Sequence, residues 1–233
     1  LSEGKLALVT GASRGIGAAT AEALAAVGYH VVLTARTASG LEDVENRIHD
    51  AGGSATIAPM DLTDGDSIGR LATAISERWG ALDVLVLNAA MLGTLTPVPH
   101  IDPKEFGRVM TLNVTAQATM IAAFDAMLRA AQDGKLIGVT SSVGATPRAY
   151  WGAYGASKAG FDALLGAYAD ETTGRVSVAI VDPGATRTAM RAKAYPGEDP
   201  ASLKEPEIVA QRMISLITDG FESGERFVVN AGP

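Results

Sequence analysis

Apolar residues along the chain fall into two alternating patterns. Seven short runs are apolar almost without interruption: Leu6–Thr10, His30–Thr34, Ser54–Pro59, Asp83–Leu87, Lys135–Thr140, Arg175–Val181 and Arg226–Val229. Such runs suit strands buried on both faces, as in a parallel sheet, rather than strands with one wet face. Between them lie stretches of helical length near residues 15–27, 41–51, 65–79, 104–131, 153–173 and 206–219. Gly28, the Gly52-Gly53 pair and Gly80 follow the first three, where a helix ends most easily on a left-handed residue. Repeated strand–helix–strand units need right-handed crossovers and helices on both faces of the sheet. The pattern predicts one α/β domain over residues 1–233, a doubly wound seven-stranded parallel sheet. The stretch 183–206 breaks the rhythm with Pro183, Gly184, Pro196, Gly197, Pro200 and Pro206. Long ordered loops in compact domains are often functional.

Composition narrows the chemistry. The 233 residues are 47% hydrophobic and 19% charged, which fits one domain with a sizeable core. Nineteen Lys plus Arg against 26 Asp plus Glu give a net charge of −7. A negative field argues against nucleic acid as a partner, because phosphate binding wants a basic face. The absence of cysteine excludes disulfides, thiolate zinc sites and cysteine nucleophiles. His30, His49 and His100 show no ligand spacing, so no metal is expected. The longest apolar runs, such as Val84-Leu85-Val86-Leu87, fall far short of the roughly 20 residues that span a bilayer. With no signal-peptide layout before the first strand, the expected location is cytoplasmic.

Two motifs carry chemistry. Thr10-Gly11-Ala12-Ser13-Arg14-Gly15-Ile16-Gly17 joins the first strand to the first helix. Glycines there let the backbone turn tightly and approach a pyrophosphate on the positive end of the helix dipole, as in Rossmann-type folds. The spacing is G-x-x-x-G-x-G, not G-x-G-x-x-G, and no Gly-Lys-Ser/Thr follows to make a phosphate-binding P-loop. The second motif is Tyr154-Gly155-Ala156-Ser157-Lys158. Residues four apart share a helix face, so the phenol and the ammonium point into one space. A nearby cation is expected to lower the tyrosine pKa toward working pH. With five Tyr and six Lys in the chain, the pair is a modest signal by itself.

Order and spacing strengthen it. The chain resembles the short-chain dehydrogenase/reductase family over essentially its whole length. Gly11, Gly15 and Gly17 match the family's glycine motif, Asp61-Leu62 its acidic residue after the third strand, and Asn88-Ala89 its Asn-Ala motif. Asn113 matches its helix asparagine, Pro183-Gly184 with Thr188 its Pro-Gly turn, and Ser141, 13 residues before Tyr154, its serine. Ser142 is adjacent, and neighbours on an extended strand face opposite sides; the Ser141-x-x-Gly144 phrase favours Ser141. The family often reads Asn-Asn-Ala-Gly after the fourth strand, where this chain reads Leu87-Asn88-Ala89-Ala90.

The resemblance implies hydride transfer between a nicotinamide and a carbonyl or alcohol carbon. Tyr154 would be the general acid/base, Lys158 would lower its pKa and bind the nicotinamide ribose, and Ser141 would hydrogen-bond the carbonyl oxygen. Asn113 would hold a water of a proton relay. The alternative is that it satisfies buried backbone groups, and the two roles are compatible. Cofactor contacts are implied for Gly11, Ser13, Arg14, Gly15, Ile16, Gly17, Arg36, Asp61, Leu62, Asn88, Ala89, Tyr154, Lys158, Pro183, Gly184, Thr186 and Thr188. NAD sites place an acid on the adenosine ribose about 20 residues beyond the glycines. Here no acid lies between Glu22 and Glu42, and Arg36 follows the second strand. Arg14 and Arg36 suit a 2′-phosphate, so NADP(H) is the expected cofactor.

The substrate pocket is expected from Met91, Leu92, Gly93, residues 146–151 and a substrate-binding loop over 185–206 carrying Met190 and Tyr195. Those walls suit a medium, largely apolar small molecule, with Arg148 as the one nearby charge. Two alternatives stand beside this reading. One is a non-catalytic NADP(H)-binding regulatory protein on the same fold. The other is a 3-oxoacyl-[acyl-carrier-protein] reductase, weakly disfavoured by the near-neutral Gln132-Asp133-Gly134-Lys135. The helices near 115–131 and 153–172 are small and apolar around much of their circumference. The resemblance implies that they pair with their copies across a two-fold axis, giving a homodimer or homotetramer.

Overall fold

A computed structural model describes residues 4–230. Its seven strands are β1 (Leu6–Thr10), β2 (His30–Ala35), β3 (Ser54–Pro59), β4 (Val84–Leu87), β5 (Gly134–Val139), β6 (Val176–Asp182) and β7 (Arg226–Val228). All pair in parallel in the order β3-β2-β1-β4-β5-β6-β7. The Rossmann-type expectation holds. The uninterrupted apolar runs are explained by burial on both faces. Ala7, Val9, Val84 and Val86 enter one core with α1 (Gly15–Ala26), α2 (Ala38–Asp50) and α9 (Pro206–Asp219). Their neighbours Leu6, Leu8, Leu85 and Leu87 enter the other, with α3 (Gly65–Trp79), α5 (Ala116–Ala130) and α7 (Gly152–Glu171). Among the described residues no helix is long and apolar enough to cross a membrane.

Most expected elements are present, with ends displaced by a few residues. The expected helix 104–131 is divided. It comprises α4 (Pro103–Met110), one turn of π-helix over Thr111–Thr115, and α5. The wide turn carries Asn113 inward, where its amide exchanges two hydrogen bonds with the Met91 backbone. π-turns inside α-helices commonly mark functional positions. Two short helices escaped the periodicity altogether: α6 (Ser142–Ala145) and α8 (Ala189–Ala194). At four and six residues they are too short to show a period.

The sheet order creates the site. Chain leaves β1 toward one side of the sheet and β4 toward the other, so a crevice opens at their carboxyl ends. Close packing secures the frame beneath it. Gly134 opens β5 directly under the Leu128 carbonyl, and a Cβ there would overlap that backbone oxygen. A Cβ at Gly138 would overlap only the end of the Leu165 side chain, which has rotamers to use. Gly134→Ala is therefore expected to lower stability by about 1–3 kcal/mol, and Gly138→Ala by less. Urea unfolding midpoints measure both, and equal losses would contradict this account.

Candidate active site

A cleft of about 750 Å³ runs along the carboxyl ends of the strands. Every strand from β1 to β6 sends residues to it from its final positions or the loop that follows. Its floor begins at the glycine turn. Gly11 and Gly15 have φ of +66° and +57°, which disfavour any side chain. Gly17 is required for another reason: a Cβ there would overlap the Gly11 carbonyl and the Asn88 amide. Helix α1 thus rests directly on the turn. Arg14 precedes it in extended backbone with no side-chain cap, and its first turn holds no acid. The first amides of α1 are left for an anion, with the dipole favouring one.

A buried threonine joins the two sides of the crevice. Thr10 Oγ1 accepts from the Asn88 and Ala89 amides at 2.9 and 3.0 Å and donates to the Val86 carbonyl at 3.2 Å. Asn88 Nδ2 returns bonds to the Thr10 and Gly11 carbonyls at 2.9 and 3.3 Å. The strands β1 and β4 are therefore locked just where the floor is made. Sequence reasoning named Asn88 for a role and left Thr10 as the mere start of the glycine motif, because a threonine ending an apolar strand looks like any β-branched residue.

Tyr154 and Lys158 lie one turn apart on α7, and both line the cleft and are buried. Lys158 Nζ donates to the Val139 carbonyl at 2.8 Å and lies 5.8 Å from the Tyr154 ring centre. Burial lowers the Lys158 pKa to about 8, against the pull of Asp162 and Asp182, which favour its charge. Tyr154 departs from the sequence expectation. Its phenol is pushed well above its ordinary range, first by burial and then by Asp182 and Asp162. Desolvation of a fully enclosed phenol outweighs its cationic neighbour, which has itself been moved toward neutrality.

Asn113 sits behind this pair and not on the cleft wall. Its Nδ2 donates to the Met91 carbonyl and to Ser157 Oγ, both at 2.9 Å, and its Oδ1 accepts from the Met91 amide at 2.8 Å. Ser157 Oγ in turn donates to the Tyr154 carbonyl at 2.7 Å. The asparagine fastens the chain after β4 to the Tyr154 helix. Ser141 follows Thr140 in extended backbone and precedes α6, whereas Ser142 is already helical. Thr140 lines the cleft and Ser141 does not.

At the outer end, Arg14 and Arg36 line the cleft together with Ser13, Thr37, Ser39 and Asp43. Asp61 and Leu62 line it from after β3. Asp61 accepts the Thr63 amide and hydroxyl at 2.9 and 2.8 Å, and these bonds, with Arg36 nearby, hold its carboxyl below the usual range. Pro183 and Thr188 form part of the opposite wall. Gly184, with φ +60°, and the buried Thr186 stand behind it; Thr186 Oγ1 donates to the Pro183 carbonyl at 2.9 Å.

Beyond Tyr154 the wall turns apolar. Leu92, Val143 and Tyr154 pack with Leu95, Trp151, Met190 and Ala194. Trp151 meets the Tyr154 ring edge-on at 5.9 Å and the Tyr195 ring at 5.8 Å. Met190 Sδ lies 3.8 Å from the Tyr154 hydroxyl. Arg191, a charge not singled out from the sequence, also stands beside this wall; Arg148, the expected charge, is exposed. Arg191 stacks 3.8 Å over the Tyr195 ring and grips Glu198 with two bonds of 2.6 Å. Val143, on the four-residue α6, and Leu95, in a loop, were missed, since single apolar residues outside long periodic elements carry no sequence signal of a pocket.

The arrangement has close counterparts. Residues 5–199 match the family described as short chain dehydrogenase. The oxidoreductase YciK of Escherichia coli K12 is 35% identical over 218 residues, covering 92% of this chain and 86% of that protein. The cis-4-hydroxycyclohexanecarboxylate dehydrogenase of Sinomonas cyclohexanicum is 33% identical, covering 98% of this chain and 96% of that one. A short chain dehydrogenase of Shigella flexneri 2a, solved in complex with NADP, superposes with a TM-score of 0.93 at 34% identity, covering 97% of this chain and 96% of that one. Another from Escherichia coli CFT073, solved with NADPH, has a TM-score of 0.93 at 35% identity and 97% coverage of both chains. Glycine turn, strand order and family match agree: the chain belongs to the short-chain dehydrogenase family.

Proposed function

We propose that this protein is an NADP(H)-dependent oxidoreductase acting on a carbonyl or alcohol carbon of a medium-sized, largely apolar substrate, with Tyr154 as general acid/base. The observation that carries the reading is the position of Tyr154 and Lys158. They lie one turn apart where a glycine-floored cleft meets an apolar pocket. The residues present fit the cofactor. The glycine turn admits no Cβ at Gly17, the start of α1 has no acid, and Arg14 and Arg36 line one end. The Shigella and Escherichia coli neighbours were solved with NADP and NADPH, which supports the same choice here.

When bound, the nicotinamide supplies or takes up the hydride. The chain's own residues handle the proton and the charge. The Tyr154 phenol holds its proton at neutral pH, as an ordinary phenol does, and burial strengthens that hold; as general acid it would give the proton to the substrate oxygen as negative charge develops there. Lys158, with a pKa of about 8, sits beside it as a cation below that pH. Ser141, next to the cleft-lining Thr140 though not itself on the cleft wall, would turn its hydroxyl to the same oxygen and stabilise charge where it develops. Asn113 would act by holding the Met91 segment against α7. Leu92, Val143, Trp151 and Met190 would exclude water and receive the apolar part of the substrate.

The assembly reading follows from the surface. Helix α7 exposes Ala156, Ala159, Ala163 and Ala167, and α5 exposes Ala122, Ala126 and Ala130. Flat, small faces let helices approach closely, and an isologous pairing covers both in a homodimer or homotetramer.

Tyr154→Phe should lower turnover of NADPH-dependent carbonyl reduction by about 10²–10⁴-fold while leaving NADPH affinity within a few-fold. A panel of ketones and aldehydes including ring ketones measures this, and activity within tenfold of the parent would remove Tyr154 from the role. Ser141→Ala should be severely impaired and Ser142→Ala mildly, and the reverse order would exchange the two serines. Cofactor choice has its own check. Arg36→Ala should lose roughly tenfold or more in NADPH affinity and little in NADH affinity; equal dissociation constants for the two cofactors in the parent would contradict it. Sedimentation at micromolar concentration should give a dimer or tetramer of the 23.9 kDa chain, shifted toward monomer by Ala163→Glu. A parent that sediments as a monomer would refute the assembly.

A further inference from the structure

We infer that Arg226 is a positioning residue for the active site: its guanidinium bridges the Ser141 backbone carbonyl and the Asp162 carboxylate, and so fixes the Ser141 turn against the helix that carries Tyr154 and Lys158. The inference rests on the roles proposed above for Ser141, Tyr154 and Lys158.

The geometry is specific. Arg226 opens β7, the last strand of the sheet, and pairs in register with Ile180 of β6. One terminal nitrogen donates to Asp162 Oδ2 at 2.7 Å, and the other donates to the Ser141 carbonyl at 2.8 Å. The second nitrogen also lies 4.0 Å from Asp182 Oδ2 at the end of β6. Asp162 follows Lys158 by one turn of α7, on the same face. Its other oxygen, Oδ1, is buried with no hydrogen-bond partner among the described residues, so this carboxylate leans on Arg226. Helix α6 presses directly on it: a Cβ at Gly144 would lie 2.8 Å from Asp162 Oδ2. A planar fork suits two acceptors that belong to different elements, and a lysine ammonium has no such fixed geometry.

Two consequences follow for the chemistry. Without the fork, the Ser141 carbonyl keeps, among the described residues, its local bond from the Gly144 amide at 3.0 Å and loses its hydrogen-bonded link through Arg226 to α7, while the packing of α6 on α7 remains. Asp162 and Asp182 would also lose their nearest guanidinium. The charged groups around Lys158 are then easily named. Asp162 lies on its own helix, Asp182 at the end of β6, Arg226 on β7, and Lys204 faces Asp182 from the loop before α9. Helix α6, Ser142-Val143-Gly144-Ala145, contributes none. Two uncompensated carboxylates would favour the protonated forms of both Lys158 and Tyr154.

The test uses three variants of the full chain with two readouts. One readout is kcat and KM for a carbonyl substrate with NADPH, with NADPH affinity and thermal melts recorded alongside. The other is the titration of Lys158 in protein labelled with ¹³C at the lysine ε-carbon, its signal identified by loss in Lys158→Met; it needs no turnover. Arg226→Met should lower kcat about tenfold to a hundredfold, the scale of a small misplacement of a reacting group. It should hold NADPH affinity within a few-fold and move the Lys158 midpoint upward. Adding Asp162→Asn should bring the midpoint back down without restoring kcat, because the Ser141 carbonyl is still unheld. Arg226→Lys, which keeps the charge in the fold, should leave the midpoint near that of the parent and still lower kcat. Parent-like kcat in both Arg226→Met and Arg226→Lys, or an unmoved midpoint in Arg226→Met, would overturn the inference. The underlying reading fails separately, through full activity of Tyr154→Phe in the same assay.

Discussion

The junction of β1 with β4 is the constraint on which the rest depends. A doubly wound sheet must part its chain at one place, and the parted ends need holding although no helix crosses over them. Here Thr10 serves as both donor and acceptor, and the Asn88 amide returns the bonds. Buried polar groups are tolerable when every partner is present, and a fully satisfied network fixes one geometry. Gly17 then sits against Gly11 with no side chain between them. The position of α1, and with it the direction of its dipole, follows from that contact.

A second constraint works against stability. Lys158 is 3% exposed, and its pKa falls from 10.5 to about 8. Between those values the unfolded chain binds more protons than the folded one. Folding stability therefore rises with pH across that window, and the penalty is present in full below it. The surroundings offset part of it with the Val139 carbonyl and with Asp162 and Asp182. A buried cation beside a buried phenol is a costly arrangement, and the buried Asp182 offsets part of the cost. Such costs gather at functional sites.

The sheet was legible because burial on both faces leaves a simple sequence trace, the uninterrupted apolar run. Glycine turn, Tyr154 and Lys158 were legible because their spacing is itself the chemistry. Other features were not. The π-turn at Thr111–Thr115 is a backbone adjustment inside an otherwise regular helical pattern, and only Asn113 marked the place. The rise in the Tyr154 pKa could not be read from Tyr154 and Lys158 alone, since it depends on burial, on Asp162 further along α7 and on Asp182 arriving from the end of β6. Arg226 lies 85 residues beyond Ser141, in a strand where a charged residue reads as an exposed edge. Long-range pairs of that kind exist only once the sheet is closed in the right order.

The segment between β6 and α9 belongs to two neighbourhoods at once. Thr188 caps α8 and lines the glycine-floored cleft, and the space a Cβ on Gly15 would enter is bounded by its methyl at 3.5 Å. Two residues later, Met190 touches the Tyr154 hydroxyl and the apolar pocket. Arg191 and Glu198 draw the ends of the helix region together. One short element thus forms a wall of both compartments. On the proposed reading, the free energy of ordering that wall is shared between two ligands. The first to bind bears most of it, the second binds to a surface already formed, and thermodynamic linkage makes the advantage mutual.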